Sequence, residues 1–441
     1  MSENPFLSGN FAPVKDEVVA TDLRVDGEIP VELNGRYLRN GPNPASEVNP
    51  ARHHWFVGDG MVHGLRLEEG EPRWYRNRFV RTPAVSRALG EEPVPNPLGD
   101  YRVSVANTNV IGHAVRTFAI VEGGGCPVEL SYELETLAFS DFERTLPRAF
   151  SAHPKRDPVT GELHTIAYYW GWGEQVQYVC VDSDAKVART IDIPTHGGPM
   201  IHDTAFTERY VIVMDLPCAF DKKAAQSGVS LPYRWQQDYP ARLGLLPRAG
   251  GDVIWIDIDP CYIFHPLNAY DRDDGSVVFE AVRHPRMFAK NTLGPDEGRP
   301  SLDRWVLDPV GRRATHDVID ERAHEFPRHN EALEGRYSRY GYSTDQDMRK
   351  GQMPLLKTDL DTGAVTEHSR AGRHHLEGVF VPRAGATAED DGWVMADAWD
   401  AAENSACVVL VDGQDFSSDP VATIHLPQRV PFGFHGNWIA D

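Results

Sequence analysis

The chain has 441 residues, of which 41% are hydrophobic and 10% aromatic, a composition that supplies a large core and excludes a disordered chain. Its formal charge of −21, from 44 Lys+Arg against 65 Asp+Glu, opposes the phosphate neutralisation that nucleic-acid binding requires and disfavours anionic membrane surfaces beyond weak peripheral contact. The same acidity favours a soluble monomer.

In chain order, the segment MSENPFLSGNF lacks a basic stretch followed by an apolar one, and nowhere do about 18 consecutive apolar residues occur, so a cytoplasmic protein is expected. Short runs rich in β-branched and aromatic residues then recur: RTFAIVE, LHTIAYYW, RYVIVMDLP, DVIWIDID, SVVFEAV, WVMADAW and ACVVLVDG. Turn chemistry separates them at 157–162, 271–276, 361–364 and 389–393, which predicts antiparallel hairpins. The stretch 217–247 is polar and punctuated by proline, and is expected to be an excursion with short helices. No linker or shift in composition divides the chain, so a single domain over 1–441 is expected. Cys126, Cys180, Cys218, Cys261 and Cys407 are odd in number, widely spaced and without a CxxC pair, and read as reduced thiols.

Four histidines stand out from the eighteen because apolar, strand-like sequence surrounds them: His153, His202, His265 and His435. Three glutamates occupy comparable settings, Glu122, Glu325 and Glu377, and the merged series has intervals of 31, 49, 63, 60, 52 and 58 residues. A propeller blade of four strands takes about 40–50 residues or more, so one polar residue per blade would meet at the axis. Imidazole is a borderline ligand for Fe, Cu, Ni and Zn, and nearby carboxylates would orient the rings and offset the metal charge. A histidine taken alone is more often a satisfied structural residue than a ligand, and spacing by itself does not separate the two readings. GDGMVHG (58–64) lacks the spacing and the βαβ context of a dinucleotide loop and is expected to be a turn. Walker A, G-x-S-x-G and H-E-x-x-H patterns are absent from the sequence.

Longer motifs decide between these readings. LNGRYLRNGPNP, HWFVGDGMVHGLRL, AHPKRDPVTGEL, IHDTAFTERYVIV, IFHPLNAYD, HEFPR, GVFVPR, AEDDGWV and PFGFHGNW occur in this order between residues 33 and 438. Together they resemble the carotenoid cleavage oxygenases. The resemblance implies an all-β fold, a seven-bladed β-propeller with a dome of loops and short helices over an axial Fe(2+). It implies His153, His202, His265 and His435 as metal ligands, with Glu122, Glu325 and Glu377 bracing three of them. It also implies that Thr108, in VANTNV, restricts access to one open metal position with its methyl group.

The activity implied is a non-haem iron dioxygenase that cleaves an alkene C=C with O2, through a dioxetane or related intermediate, into two carbonyl products. The partners are O2 and a small apolar alkene, without organic cofactor or external reductant. The family also holds stilbene and phenylpropenoid cleavers, and some isomerases. Stilbene cleavers carry a phenol-binding lysine immediately before the first glutamate, where this chain has Val121, and a partner tyrosine is not placed within 80–101. A carotenoid or apocarotenoid is therefore the expected substrate, with a stilbene or phenylpropenoid as the alternative. The polar residues of 217–247 favour the more soluble members of either class over a carotenoid drawn from a membrane. A propeller without metal, serving as a binding scaffold, is the reading from another class. Phe56, Trp170, Trp235 and Phe264 are candidate tunnel aromatics.

Overall fold

A computed structural model describes residues 4–94, 105–295 and 297–441; the last part of the 80–101 stretch lies outside the described residues. The chain forms a seven-bladed antiparallel β-propeller, and each blade is a sheet of four or five strands. The first sheet contains Val19–Ala20, Gly35–Pro42, Gly60–Glu68 and Glu71–Phe79, completed by the C-terminal strand Gly436–Ala440 beside Gly35–Pro42. The next five begin with Asn109–His113, Lys155–Arg156, Ala205–Phe206, Pro266–Asp271 and His324–His329. The seventh begins with Arg373–Pro382, continues through Gly392–Asp400, Ser405–Asp412 and Ala422–Leu426, and takes Val25–Gly27 at its far edge. Two sheets thus combine segments from opposite ends of the chain.

Two compact units can be distinguished. One comprises Met1–Val121, Pro127–Ser140 and Arg339–Asp441, and the other Glu122–Cys126 and Asp141–Ser338. In the first, the strand Gly392–Asp400 shows why the apolar runs are continuous. Side chains alternate across a strand, and here both faces are buried. Trp393 and Met395 pack with Tyr37, Leu65 and Leu67 of the first sheet, while Val394, Ala396 and Ala398 pack with Tyr342 and Leu355 of the sixth. Asp397 stands on the Trp393 face and is nevertheless buried. In the second unit, Val176, Tyr178, Val211, Val213, Leu243 and Phe279 are buried in the same way.

The seven strands and four turns expected from sequence are present, all in antiparallel ladders. Two expectations require correction. Within 217–247, Cys218–Phe220 and Tyr233–Trp235 pair as a small hairpin around one short helix, Lys222–Gln226, but Arg242–Pro247 is a full blade strand paired with Tyr210–Asp215. Its apolar LGLLP core outweighed the polar residues before it. GDGMVHG is largely strand, because Gly60–Glu68 pairs on both edges; a Cβ on Gly60 would lie 2.3 Å from the carbonyl oxygen of Ala106, which explains the glycine. All five cysteines are buried free thiols, as expected. Among the described residues no helix is long and apolar enough to cross a membrane.

Trp393 is 1% exposed, so Trp393→Ala is expected to cost about 3–5 kcal/mol in chemical denaturation. Val310, 93% exposed, serves as the control, and Val310→Ala should stay within about 0.5 kcal/mol of the parent.

Candidate metal centre

Each of the four histidines stands in the last loop residues before the first strand of a blade or before the C-terminal strand. His153 precedes Lys155–Arg156, His202 precedes Ala205–Phe206, His265 immediately precedes Pro266–Asp271, and His435 immediately precedes Gly436–Ala440. The equivalent position before Asn109–His113 is Thr108, and Glu122 comes after the second strand of that sheet, Arg116–Ile120. Glu122 thus comes from the second strand of its blade, whereas Thr108 stands before the first. Glu325 lies in His324–His329 and Glu377 in Arg373–Pro382. A β-bulge between His375 and Gly378 sets two residues, Leu376 and Glu377, against one on the neighbouring strand, a distortion that re-aims side chains.

All four histidines are buried, and each offers a ring nitrogen within 4.8 Å of those of the other three. The Nε2 atoms of His153 and His202 are 2.9 Å apart, and those of His202 and His265 are 3.1 Å apart. The Nδ1 atom of His202 is 2.6 Å from Oε1 of Glu122, and that of His265 is 2.5 Å from Oε2 of Glu325. His435 Nδ1 is 2.9 Å from Oε1 of Glu377, whose Oε2 accepts from the Gly436 N–H at 2.8 Å.

This arrangement fixes tautomers. A carboxylate only accepts, so each of these three Nδ1 atoms carries the proton and leaves the Nε2 lone pair for a metal. Two nitrogens bound at right angles, each about 2.1 Å from one metal, stand about 3.0 Å apart, against about 3.4 Å for a tetrahedral pair. The observed 2.9 and 3.1 Å match the right-angled geometry. The donor set fits a borderline transition metal, and a buried four-histidine group of this kind could bind one. Burial opposes ionisation of Glu325, but His265 and His284 outweigh it and hold the carboxyl well below the usual carboxylate range. Burial likewise lowers the pKa of His202, and the adjoining Glu122 more than reverses this.

Sequence reasoning missed two participants. His284 directs Nε2 at Oε1 of Glu325 from 2.6 Å, so that one carboxylate bridges two imidazoles. Asp203 accepts from Lys155 Nζ at 3.0 Å and lies 3.7 Å from His153 Nδ1. Asp203 adjoins His202 in sequence and was visible as part of HDTAF, whereas nothing in VRHPRM marked His284. Thr108 is 4% exposed; its carbonyl accepts from the His435 N–H at 3.1 Å and its hydroxyl donates to Asn107 at 3.0 Å. Of the candidate aromatics, the Phe264 ring centroid lies 5.5 Å from that of His202, and the Phe56 centroid lies 5.4 Å from that of Phe434, the neighbour of His435. Trp170 is 47% exposed and stacks on Phe220, and Trp235 belongs to the small hairpin.

A family model described as retinal pigment epithelial membrane protein, RPE65, matches residues 11–440. A carotenoid cleavage oxygenase of Mycobacterium tuberculosis is 44% identical, with 99% of this chain and 98% of that protein covered. The chain belongs to the carotenoid cleavage oxygenase family. Among solved structures, a Pseudomonas brassicacearum lignostilbene dioxygenase superposes with a TM-score of 0.88 at 26% identity, covering 99% of this chain and 98% of that one. A cobalt-substituted Synechocystis apocarotenoid oxygenase superposes at 0.86 and 26% identity, with 97% of both chains covered.

Because Glu325 holds two imidazoles, Glu325→Gln is expected to weaken metal binding by about 10–100-fold in competition with a chelator under anaerobic conditions. His284→Ala, which removes only one of its partners, should have the smaller effect in the same titration.

Proposed function

We propose that the protein is a non-haem Fe(2+) dioxygenase that cleaves a C=C bond of a carotenoid or apocarotenoid, one molecule of O2 yielding two carbonyl products. The observation that carries this reading is the buried group of four imidazoles, three of them backed by carboxylates, in a chain of this family. When bound, the iron supplies O2 activation toward an alkene. In this reading His153, His202, His265 and His435 would hold the iron through neutral imidazole nitrogens. Glu122, Glu325 and Glu377 hold three ring N–H protons, orient the imidazoles and offset the metal charge. Thr108 would limit access to the iron, and Phe264 beside His202 and Phe56 beside Phe434 would supply apolar walls.

Val121, 9% exposed, stands where a phenol-binding lysine would be in a stilbene cleaver, and this favours an apolar polyene. The likeness to a lignostilbene dioxygenase keeps a stilbene or phenylpropenoid as the second reading. A metal-free scaffold is disfavoured by the complete histidine set. The span of one family model over residues 11–440 supports a single domain, and the charge of −21 supports a monomer in at most weak peripheral contact with membranes.

Anaerobic protein is expected to hold close to one iron per chain by elemental mass spectrometry, and His265→Ala to lose it. Under 18O2, an apocarotenal should give two carbonyl products with one label each, at a higher kcat/KM than a hydroxystilbene. Reversal of that preference would move the assignment to stilbenes, and folded protein that takes up no iron on reconstitution would sink the oxygenase reading.

A further inference from the structure

The axial centre draws on imidazoles and carboxylates and uses no cysteine, yet the third blade sets a cysteine face to face with another buried histidine. Leu163–Ala167 pairs with Gln175–Val181, and in that register His164 stands directly opposite Cys180. Side chains alternate along a strand, so Glu162, two residues before His164, joins them on the same face. Nε2 of His164 lies 3.9 Å from Oε2 of Glu162, and one donor atom each from Glu162, His164 and Cys180 lie within 4.8 Å of one another. The Glu162 side chain is 33% exposed and gives this otherwise buried group an edge on solvent.

Hydrogen bonds set the imidazole for ligation through Nε2. Nδ1 lies 2.8 Å from the Tyr178 hydroxyl, and Nε2 lies 3.2 Å from Nη2 of Arg248. A guanidinium only donates, so Nε2 carries the lone pair and Nδ1 the proton. Burial, and then Arg248, push the His164 pKa down to about 4, which keeps the ring neutral at pH 7. Arg248 does not depend on this contact. It donates to Oδ2 of Asp157 at 2.5 Å and to the Thr207 carbonyl at 3.2 Å, and it lies over the Phe206 ring. A metal that takes the Nε2 lone pair therefore leaves Arg248 with its stronger partners.

The surrounding charges decide the class of metal. Asp157 and Glu162 balance Arg248 and Arg189, the four charged groups that bear on His164 and Cys180. A neutral setting with two guanidinium groups disfavours hard cations such as calcium and magnesium, which need several oxygen ligands. An imidazole, a cysteine sulfur and one carboxylate match the zinc class, which takes three protein ligands and a water. A tetrahedral nitrogen–oxygen pair on such a metal spans about 3.4 Å, so a shift of about 0.5 Å by the partly exposed Glu162 completes the geometry. Burial, and then Glu162, hold the Cys180 thiol above its ordinary pKa, so its proton leaves for solvent as the metal–sulfur bond forms.

We propose that Glu162, His164 and Cys180 form a second metal site, for one divalent cation of the zinc class, bound by the imidazole Nε2, the thiolate and the carboxylate, with water as the fourth ligand. The metal fastens Leu163–Ala167 to Gln175–Val181 at the end of their hairpin. Sulfur separates this site from the axial centre, which has none, and the proposal does not rest on the dioxygenase reading.

Cobalt is the probe of choice, because a thiolate on Co(2+) gives a near-ultraviolet charge-transfer band that four imidazoles cannot give. The full chain titrated anaerobically with Co(2+) is expected to develop this band, Cys180→Ser to abolish it, and His265→Ala, which disables the axial centre, to retain it. Glu162→Gln should weaken the cobalt binding that produces the band by about 10-fold or more. Absence of the band in the parent protein, or its persistence in Cys180→Ser, would overturn the proposal. Should Cys180→Ser fail to fold, crystals of the parent protein soaked in zinc decide: an anomalous peak about 2.3 Å from Sγ of Cys180 sustains the site, and its absence overturns it. Protein that takes up no iron yet develops the band would sink the dioxygenase reading and sustain this one.

Discussion

Holding four neutral imidazoles with their lone pairs facing one another is unfavourable unless something meets those lone pairs and something else fixes the rings. Much of the structure around the candidate centre answers that constraint. Three carboxylates accept the Nδ1 protons of His202, His265 and His435, and this selects the tautomer that turns Nε2 inward. The carboxylates are themselves anchored: Glu325 takes His284 and the Phe326 N–H as well as His265, and Glu377 takes the Gly436 N–H. The rings of His265 and His435 are thus held by chains of contacts that end in backbone.

The blades supply the positions for these groups. A strand locks its own residues into an alternating pattern, whereas the residue just before a strand has a fixed position and a freer direction. His265, His435 and Thr108 occupy that place, and His153 and His202 lie within the few loop residues before their strands. The glutamates that meet them sit within or just after strands, and Glu377 depends on a bulge for its direction. Rigid sheets buried on both faces, as at Gly392–Asp400, give the loop residues a stable base.

Strand content was legible because β-branched and aromatic runs between turn residues leave little choice of element. Where the sequence misled, a local signal was outweighed by pairing. The polar start of 217–247 concealed the blade strand Arg242–Pro247, and the glycines of GDGMVHG suggested a turn although their small size serves close backbone packing within a strand. The spacing series gave one polar residue to each blade without saying which strand carries it. The structure places Thr108 before the first strand of the second blade and brings Glu122 to His202 from the far side of the hairpin.

By itself, the sequence determined the element type, because strand propensity is a property of residue types in short contexts, and its longer motifs singled out the propeller, the four histidines and the three glutamates. Only the tertiary structure decided which glutamate meets which histidine, that His284 shares Glu325, and that Cys180 stands opposite His164. Such pairings join residues 16 to 80 positions apart, and they follow from register and loop path, which no local pattern of residues encodes.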